Sequence, residues 1–299
     1  MRFRTRASVA VTLLCALVLA GCSGASGHRS AVRVGYPFDG VTRFGEAERR
    51  VLHDAEERLV AGCMNRRGFD YEPSEQNENE SGADNPYGLL SPERAADNGY
   101  GMTMRAVRNS SSDEKNENRK DRNDSPERNI ALNGNKENRK TITTDTGTEL
   151  TFATDGCLHE ARTEVYGESW DRAFYTMQDL SNEVIRGVTD SKEFSEDQRH
   201  WSECMSSAGH EYETLQGPLR TIREKLDERG PNKNIAGLEL SLAEQDARCQ
   251  RRVGLAETVR EVQRAEEAEV LRGHRARLRE LRKLRSAALD NARAVMADD

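Results

Sequence analysis

The sequence predicts a mainly α fold: two Cys-tied helical units, one small β-hairpin, a disordered polar insertion and a long C-terminal helix. Three observations carry that expectation. A short unit beginning Cys-Met occurs twice, each time at the end of a helical stretch. A further cysteine follows each copy. From Cys249 to Asp299 the chain then contains no proline and repeats apolar residues at helical spacing.

The unit Cys63-Met64-Asn65-Arg66-Arg67-Gly68-Phe69-Asp70-Tyr71-Glu72 lies over Cys204-Met205-Ser206-Ser207-Ala208-Gly209-His210-Glu211-Tyr212-Glu213. Cys, Met, Gly, Tyr and Glu coincide, and Arg58 and Arg199 stand five residues before each Cys. Leu52, Ala55, Leu59 and Cys63 follow a three-four spacing, the stripe of a half-buried helix. Gly68 and Gly209 fall where such a helix ends in a left-handed residue. Ser195-Glu196-Asp197-Gln198 reads as a capping box opening the second copy. Phe69, Tyr71 and Tyr212 are placed to fold back over the helix ends.

Residues 1–21 read as a lipoprotein signal segment. Arg2, Arg4 and Arg6 precede an apolar run from Ala7 to Leu19, too short for a bilayer span of about 20 residues. The run ends in Leu19-Ala20-Gly21-Cys22, which resembles a bacterial lipobox. That resemblance implies a diacylglyceryl group, and hence palmitate-type chains, on Cys22. It implies a cell-membrane location at the extracytoplasmic face. Residues 22–44 form the expected tether, 45–190 the first helical unit, 191–258 the second, and 259–299 an amphipathic C-terminal helix.

Of six Cys, Cys15 lies in the signal segment and Cys22 is the lipidation site. Cys63, Cys157, Cys204 and Cys249 remain, and an exported chain favours two disulfides among them. Pairing within copies, Cys63–Cys157 and Cys204–Cys249, is the simplest connectivity; pairing across copies is also open. His159 beside Cys157 and His200 before Cys204 raise a zinc site, but Cys63 and Cys249 have no neighbouring His, and oxidised thiols are the expectation.

Two Cys-Met-x-x-x-Gly-x-x-Tyr units behind a lipobox resemble a group of uncharacterised actinobacterial secreted lipoproteins. The resemblance covers residues 45–260, apart from a low-complexity departure at 103–140. It implies an envelope location and a Cys-tied helical fold, and no particular chemistry.

Ser91-Pro92-Glu93 starts a short helix that ends near Gly99. Residues 109–140 are almost wholly polar, and a disordered insertion is expected near 103–140. Thr141–Thr144 and Glu149–Phe152, around Asp145-Thr146-Gly147-Thr148, read as the hairpin. After Cys249 one helix to Ala297 is allowed, with Gly254 and Gly273 as weak points. Its apolar arc lies beside Arg272, Arg275, Arg279, Arg282 and Lys283, a candidate contact for an anionic surface. A solvated face of a packed helix or coiled coil is the competing reading.

Hydrophobic residues, glycine not counted, make up 35% of the chain, below the usual level of about 45–50% that counts glycine, so part of it is expected outside any core. The net charge of −7, or −10 without the three arginines of residues 1–21, argues against a nucleic-acid partner. No nucleophile elbow, metalloprotease helix, phosphate loop or dinucleotide fingerprint is present; Ser112-Asp113-Glu114-Lys115 lies in the polar insertion. Asp70 with Glu72, and Glu211 with Glu213, flank a Tyr as solvated charges. The expectation is a non-enzymatic envelope lipoprotein without catalytic residues, metal or cofactor, supporting a partner such as an exporter. The alternative is a motif-less envelope hydrolase or small-ligand-binding lipoprotein.

Overall fold

The computed structural model describes residues 34–74, 76, 85–110 and 125–297. The signal segment, Cys22 and the tether as far as residue 33 lie outside the described residues, as do residues 111–124 of the polar insertion. Element α1 (Pro37–Gly40) is a left-handed turn, with φ of 57° at Phe38 and 59° at Asp39. Such geometry costs about 1–2 kcal/mol per non-glycine residue. Burial of Phe38 among Trp170, Met177 and Leu281 offsets it, together with a bond from Phe38 N to Glu267 Oε1 at 3.0 Å.

Helix α2 (Glu46–Arg66) begins where Gly45 N donates to Glu48 Oε2. It buries Leu52, Ala55, Val60, Cys63 and Met64, the stripe read from the sequence with Leu59 half-buried at its edge. Its end is a Schellman closure: Phe69 N donates to Met64 O, Gly68 N to Asn65 O, and Gly68 has φ of 83°.

Asn85 Oδ1 accepts from Tyr87 N and Leu89 N, shaping a turn before α3 (Pro92–Asn98), which Ser91 caps by accepting from Arg94 N. A further helix, α4, occupies residues 102–110. Tyr87, Ala95 and Tyr100 are buried in the cluster that contains Trp201.

The polar insertion is folded at both ends of its described part. Besides α4, residues Pro126–Asn133 form α5, capped by Ser125 accepting from Arg128 N, with Ala131 buried against Cys63 and Cys157. Ser125-Pro126-Glu127-Arg128 repeats the tetrad Ser91-Pro92-Glu93-Arg94. That is enough to start a helix, since one short polar helix needs a cap and a single apolar face rather than an apolar composition. Strands β1 (Arg139–Thr143) and β2 (Glu149–Ala153) pair antiparallel with Thr141 opposite Thr151, the expected hairpin. Its turn places Gly147 at φ 89°. Helix α6 (Cys157–Tyr166) follows. A Cβ on Gly156 would lie 2.5 Å from the backbone at Asn133, so only glycine lets α5 approach α6 this closely.

Helix α7 (Trp170–Thr189) buries Trp170, Ala173, Met177, Leu180 and Val184 in a cluster with Phe38, Val270 and Leu281, and its last turn puts Val188 into the cluster of Trp201 and Cys249. Helix α8 (Lys192–Ser207) is capped by Ser191, whose Oγ accepts from Phe194 N. The expected start at Ser195 is displaced by one turn: Ser195 sits inside the helix with its Oγ donating to Ser191 O. Helices α9 (Gln216–Arg229), α10 (Lys233–Val253), α11 (Leu255–Val270) and α12 (Arg275–Ala297) complete the chain. The uninterrupted helix allowed after Cys249 is broken at both weak points. Gly254 turns left-handed at φ 78°, and residues 271–274 form a turn around Gly273.

Helix α12 returns to pack on α2, α6 and α7, whereas α10 packs on α3, α8 and α9. The two Cys-tied regions are interleaved in sequence: α2, α5 and α6 pack around Cys63–Cys157, whereas α3, α8, α9 and α10 contribute to the cluster that holds Cys249 with Cys204 at its edge. Among the described residues no helix is long and apolar enough to cross a membrane.

Candidate functional site

The four cysteines form two disulfides, Cys63–Cys157 and Cys204–Cys249, the pairing within copies. As disulfides they offer no thiolate to a metal. Their neighbouring histidines have other contacts: His159 stacks on Phe152 at 5.3 Å, and Arg199 Nη2 lies 2.9 Å from His200 Nε2. Among the described residues no cluster of three metal-ligating side chains occurs.

The equivalence of the two copies extends beyond the matched residues. His210 N donates to Met205 O and Gly209 N to Ser206 O, the same closure as after Met64, with Gly209 at φ 85°. Glu57 Oε2 accepts from Ser74 N, and at the same positions of the second copy Gln198 Oε1 accepts from Leu215 N. Tyr71 donates to Glu57 and Tyr212 to Thr221, so both aromatics lie back against the fold. Asp70, Glu72, Glu211 and Glu213 are exposed, as read from the sequence.

Three buried polar residues of α10 were not singled out by sequence. Asp246 is wholly buried and accepts from Trp201 Nε1 (2.8 Å), Tyr100 Oη (3.0 Å) and Gln250 Nε2 (2.8 Å). Burial pushes its carboxyl up to about 6, while the three hydrogen bonds pull the other way. The Tyr100 hydroxyl is pushed far above its ordinary value by the same burial and by the Asp246 charge. Glu239 accepts from Met102 N (2.7 Å) and Thr103 N (2.9 Å), so its carboxylate caps the start of α4 from another helix. Gln250 Oε1 accepts from Leu90 N and its Nε2 donates to Gly88 O. These side chains lie at helical spacing on the apolar side of α10, a polar line within an apolar stripe. Their chemistry is the clamping of segment 85–103.

A cleft of ≈ 350 Å³ opens beside the first disulfide, lined by Arg67, Asp155, His159, Glu160 and Thr163 among others. Arg67, Asp155 and Glu160 are engaged with protein partners. Arg67 Nη1 donates to Ala131 O and Asp155 O, and Arg66 pairs with Glu160 at 2.6 Å. Asp155 accepts from Asn138 Nδ2 and Asn135 N, which hold its carboxyl below the usual range. This constellation joins α2, α5, the hairpin and α6.

Of the basic residues read from the sequence, Arg275, Arg279, Arg282 and Lys283 lie together on the outside of α12, while Arg272 lies in the turn before it and pairs with Glu269. Arg272, Arg275, Arg279, Arg282 and Lys283 are all exposed. The opposite side of the helix buries Leu278, Leu281, Ala288 and Ala292, so its apolar arc is used inside this chain rather than in a coiled coil. Arg277 and Arg285, which interrupt that arc, are turned to partners: Arg277 binds Asp145 of the hairpin turn and Glu280, and Arg285 binds carbonyls of Gly40 and Val41. Burial lowers the Arg285 pKa from its ordinary value.

No family model, curated protein or solved structure matches the chain.

Proposed function

We propose that this is a non-enzymatic lipoprotein of the bacterial cell envelope, held by Cys22 on the outer face of the cytoplasmic membrane, where it binds or supports a partner such as an exporter. The observation that carries this reading is Leu19-Ala20-Gly21-Cys22 at the end of a short apolar run behind three arginines. Two disulfides support it, because such bonds persist in oxidising compartments. The engagement of Asp246, Glu239, Asp155 and Glu160 in joining helices supports a binding scaffold over a catalyst. Two acyl chains at about 0.8 kcal/mol per buried methylene would hold such a chain durably. Cys22→Ala is expected to abolish labelling by palmitate and to move the protein out of the lipidated membrane pool. Retention of label in the variant would overturn the proposal.

A further inference from the structure

We infer that the exposed basic face of α12 is the surface this protein turns toward the membrane, where it engages anionic lipid headgroups. The orientation rests on the anchored reading above; the binding does not.

Arg275, Arg279, Arg282 and Lys283 stand four, three and one residues apart, which places them on one side of the helix. Among the described residues Arg275, Arg279 and Lys283 have no carboxylate at ion-pair distance, while Arg282 reaches Asp39 at 2.9 Å. The helix cannot roll to hide these cations, because Leu281, Ala288 and Ala292 are wholly buried on its other side.

The place where the chain enters the fold is stapled beside this face. Arg285 donates to the carbonyls of Gly40, Val41 and Arg43, and its guanidinium lies 4.3 Å over the Phe44 ring. Asp39 meets Arg282 from the same segment. Val34, the first described residue, is five residues before Asp39, and Cys22 is twelve before Val34. At about 3.5 Å per residue, the seventeen residues from Cys22 to Asp39, the partner of Arg282, can span no more than roughly 60 Å. Confinement of that kind keeps the face near headgroups at an effective concentration of about a millimolar.

Charge selects the face. Without residues 1–21, whose only charged side chains are Arg2, Arg4 and Arg6, the net charge of −7 becomes −10, and such a chain is repelled by an anionic bilayer except where cations cluster, so this cluster sets the favourable approach. Each cation near such a surface contributes about fivefold in affinity, screened over about 10 Å at 0.1 M salt.

The test uses the unlipidated polypeptide from Ser23 to Asp299, which keeps the whole of the separate compact unit Val32–Asp299. It is sedimented with vesicles of phosphatidylcholine, with and without phosphatidylglycerol, at about 0.02 M and about 0.5 M salt. The expected result is a preference of about tenfold or more for the anionic vesicles at low salt, lost at high salt. Arg275→Gln/Arg279→Gln/Lys283→Gln, which spares the Arg282–Asp39 contact, should remove the preference. Arg220→Gln/Arg223→Gln/Arg229→Gln, the same change of charge among exposed residues of α9, should keep it. Thermal melts confirm that both variants remain folded. Equal binding to both vesicles, no binding, or equal loss in the two variants overturns the inference. Capture of an acidic polypeptide without vesicle binding reassigns the face to a protein partner. A failed Cys22→Ala experiment would remove the anchor and leave the vesicle result standing.

Discussion

Around Cys63 and around Cys204 the chain makes the same local structure and buries it differently. Cys63 and Cys157 are both buried, and the disulfide is itself the centre of a small cluster with Val60, Met64, Ala131 and Ala161. Cys204 is only half-buried and lies at the rim of a large cluster built on Trp201, Ile222, Leu242 and Leu255. Val60 and Trp201 occupy equivalent positions three residues before each Cys. A Trp there brings a large apolar surface and an N–H that needs a partner once it is buried. Asp246 supplies that partner in the second region, and the first needs none. The repeated signature thus fixes how the helix closes, while the residue three positions earlier decides how much core gathers on it.

The largest expected effect comes from the bond on which the smaller cluster depends. Replacing Cys63 and Cys157 together by Ala should cost about 5 kcal/mol in a urea melt, and Cys204 with Cys249 about 4 kcal/mol. The closed loops of 94 and 45 residues set that order in the chain-entropy model. Hydrogen exchange should show α5, α6 and the hairpin losing protection in the first variant, with α10 keeping most of its protection in the second. A larger loss for the second pair would break the comparison.

Next in size is the polar support that only the second region has. Asp246→Ala leaves the Trp201, Tyr100 and Gln250 donors without their acceptor and should cost about 3 kcal/mol. The same carboxyl gives a pH dependence with a definite sign. Its value is about 6 when folded against 3.8 free, so the folded state holds the proton more tightly. The stabilisation from this proton is fully present below about pH 4 and is lost as pH rises through about 6, a change of about 3 kcal/mol. Asp246→Asn should flatten that part of the stability profile between pH 4 and 7. An unchanged slope in the variant would place the titration elsewhere.

What could be read in the sequence had a fixed local chemistry. The Cys-Met-x-x-x-Gly-x-x-Tyr units, the Ser91-Pro92 cap and the hairpin turn at Asp145–Thr148 depend on residues close in sequence, and they form where expected. Helix α7 was passed over although Trp170, Ala173, Met177, Leu180, Val184 and Val188 spell its stripe, because it carries no motif. Helix α5 was hidden by the composition of its surroundings, with a second Ser-Pro-Glu-Arg tetrad as the available signal. Asp246, Glu239 and Gln250 were visible only as polar residues inside the stripe of α10. Their partners Tyr100, Met102 and Leu90 lie some 140–160 residues away, and no local pattern joins them. The exposed basic face was legible because helical spacing alone defines it, whereas the stapling of α1 beside it depends on Arg285 reaching carbonyls more than 240 residues away, which no local pattern joins.

The smallest expected effect tests whether the two closures are physically the same. Gly68 and Gly209 adopt φ of 83° and 85°, and a Cβ at either would meet nothing within 4 Å. Substitution therefore costs only the left-handed backbone, with no contribution from packing on either side. Gly68→Ala and Gly209→Ala should each lose about 1 kcal/mol, and the two losses should agree within about 0.5 kcal/mol. Asn tolerates this conformation better, so Gly68→Asn and Gly209→Asn should each lose less than the Ala variants. Because one closure lies beside a buried disulfide and the other beside a half-buried one, equal losses would show that the closure is independent of the core behind it. A difference of more than about 1 kcal/mol would show instead that the surroundings of Cys63 or Cys204 hold the glycine in place, and the local equivalence of the two copies would fail at its clearest point.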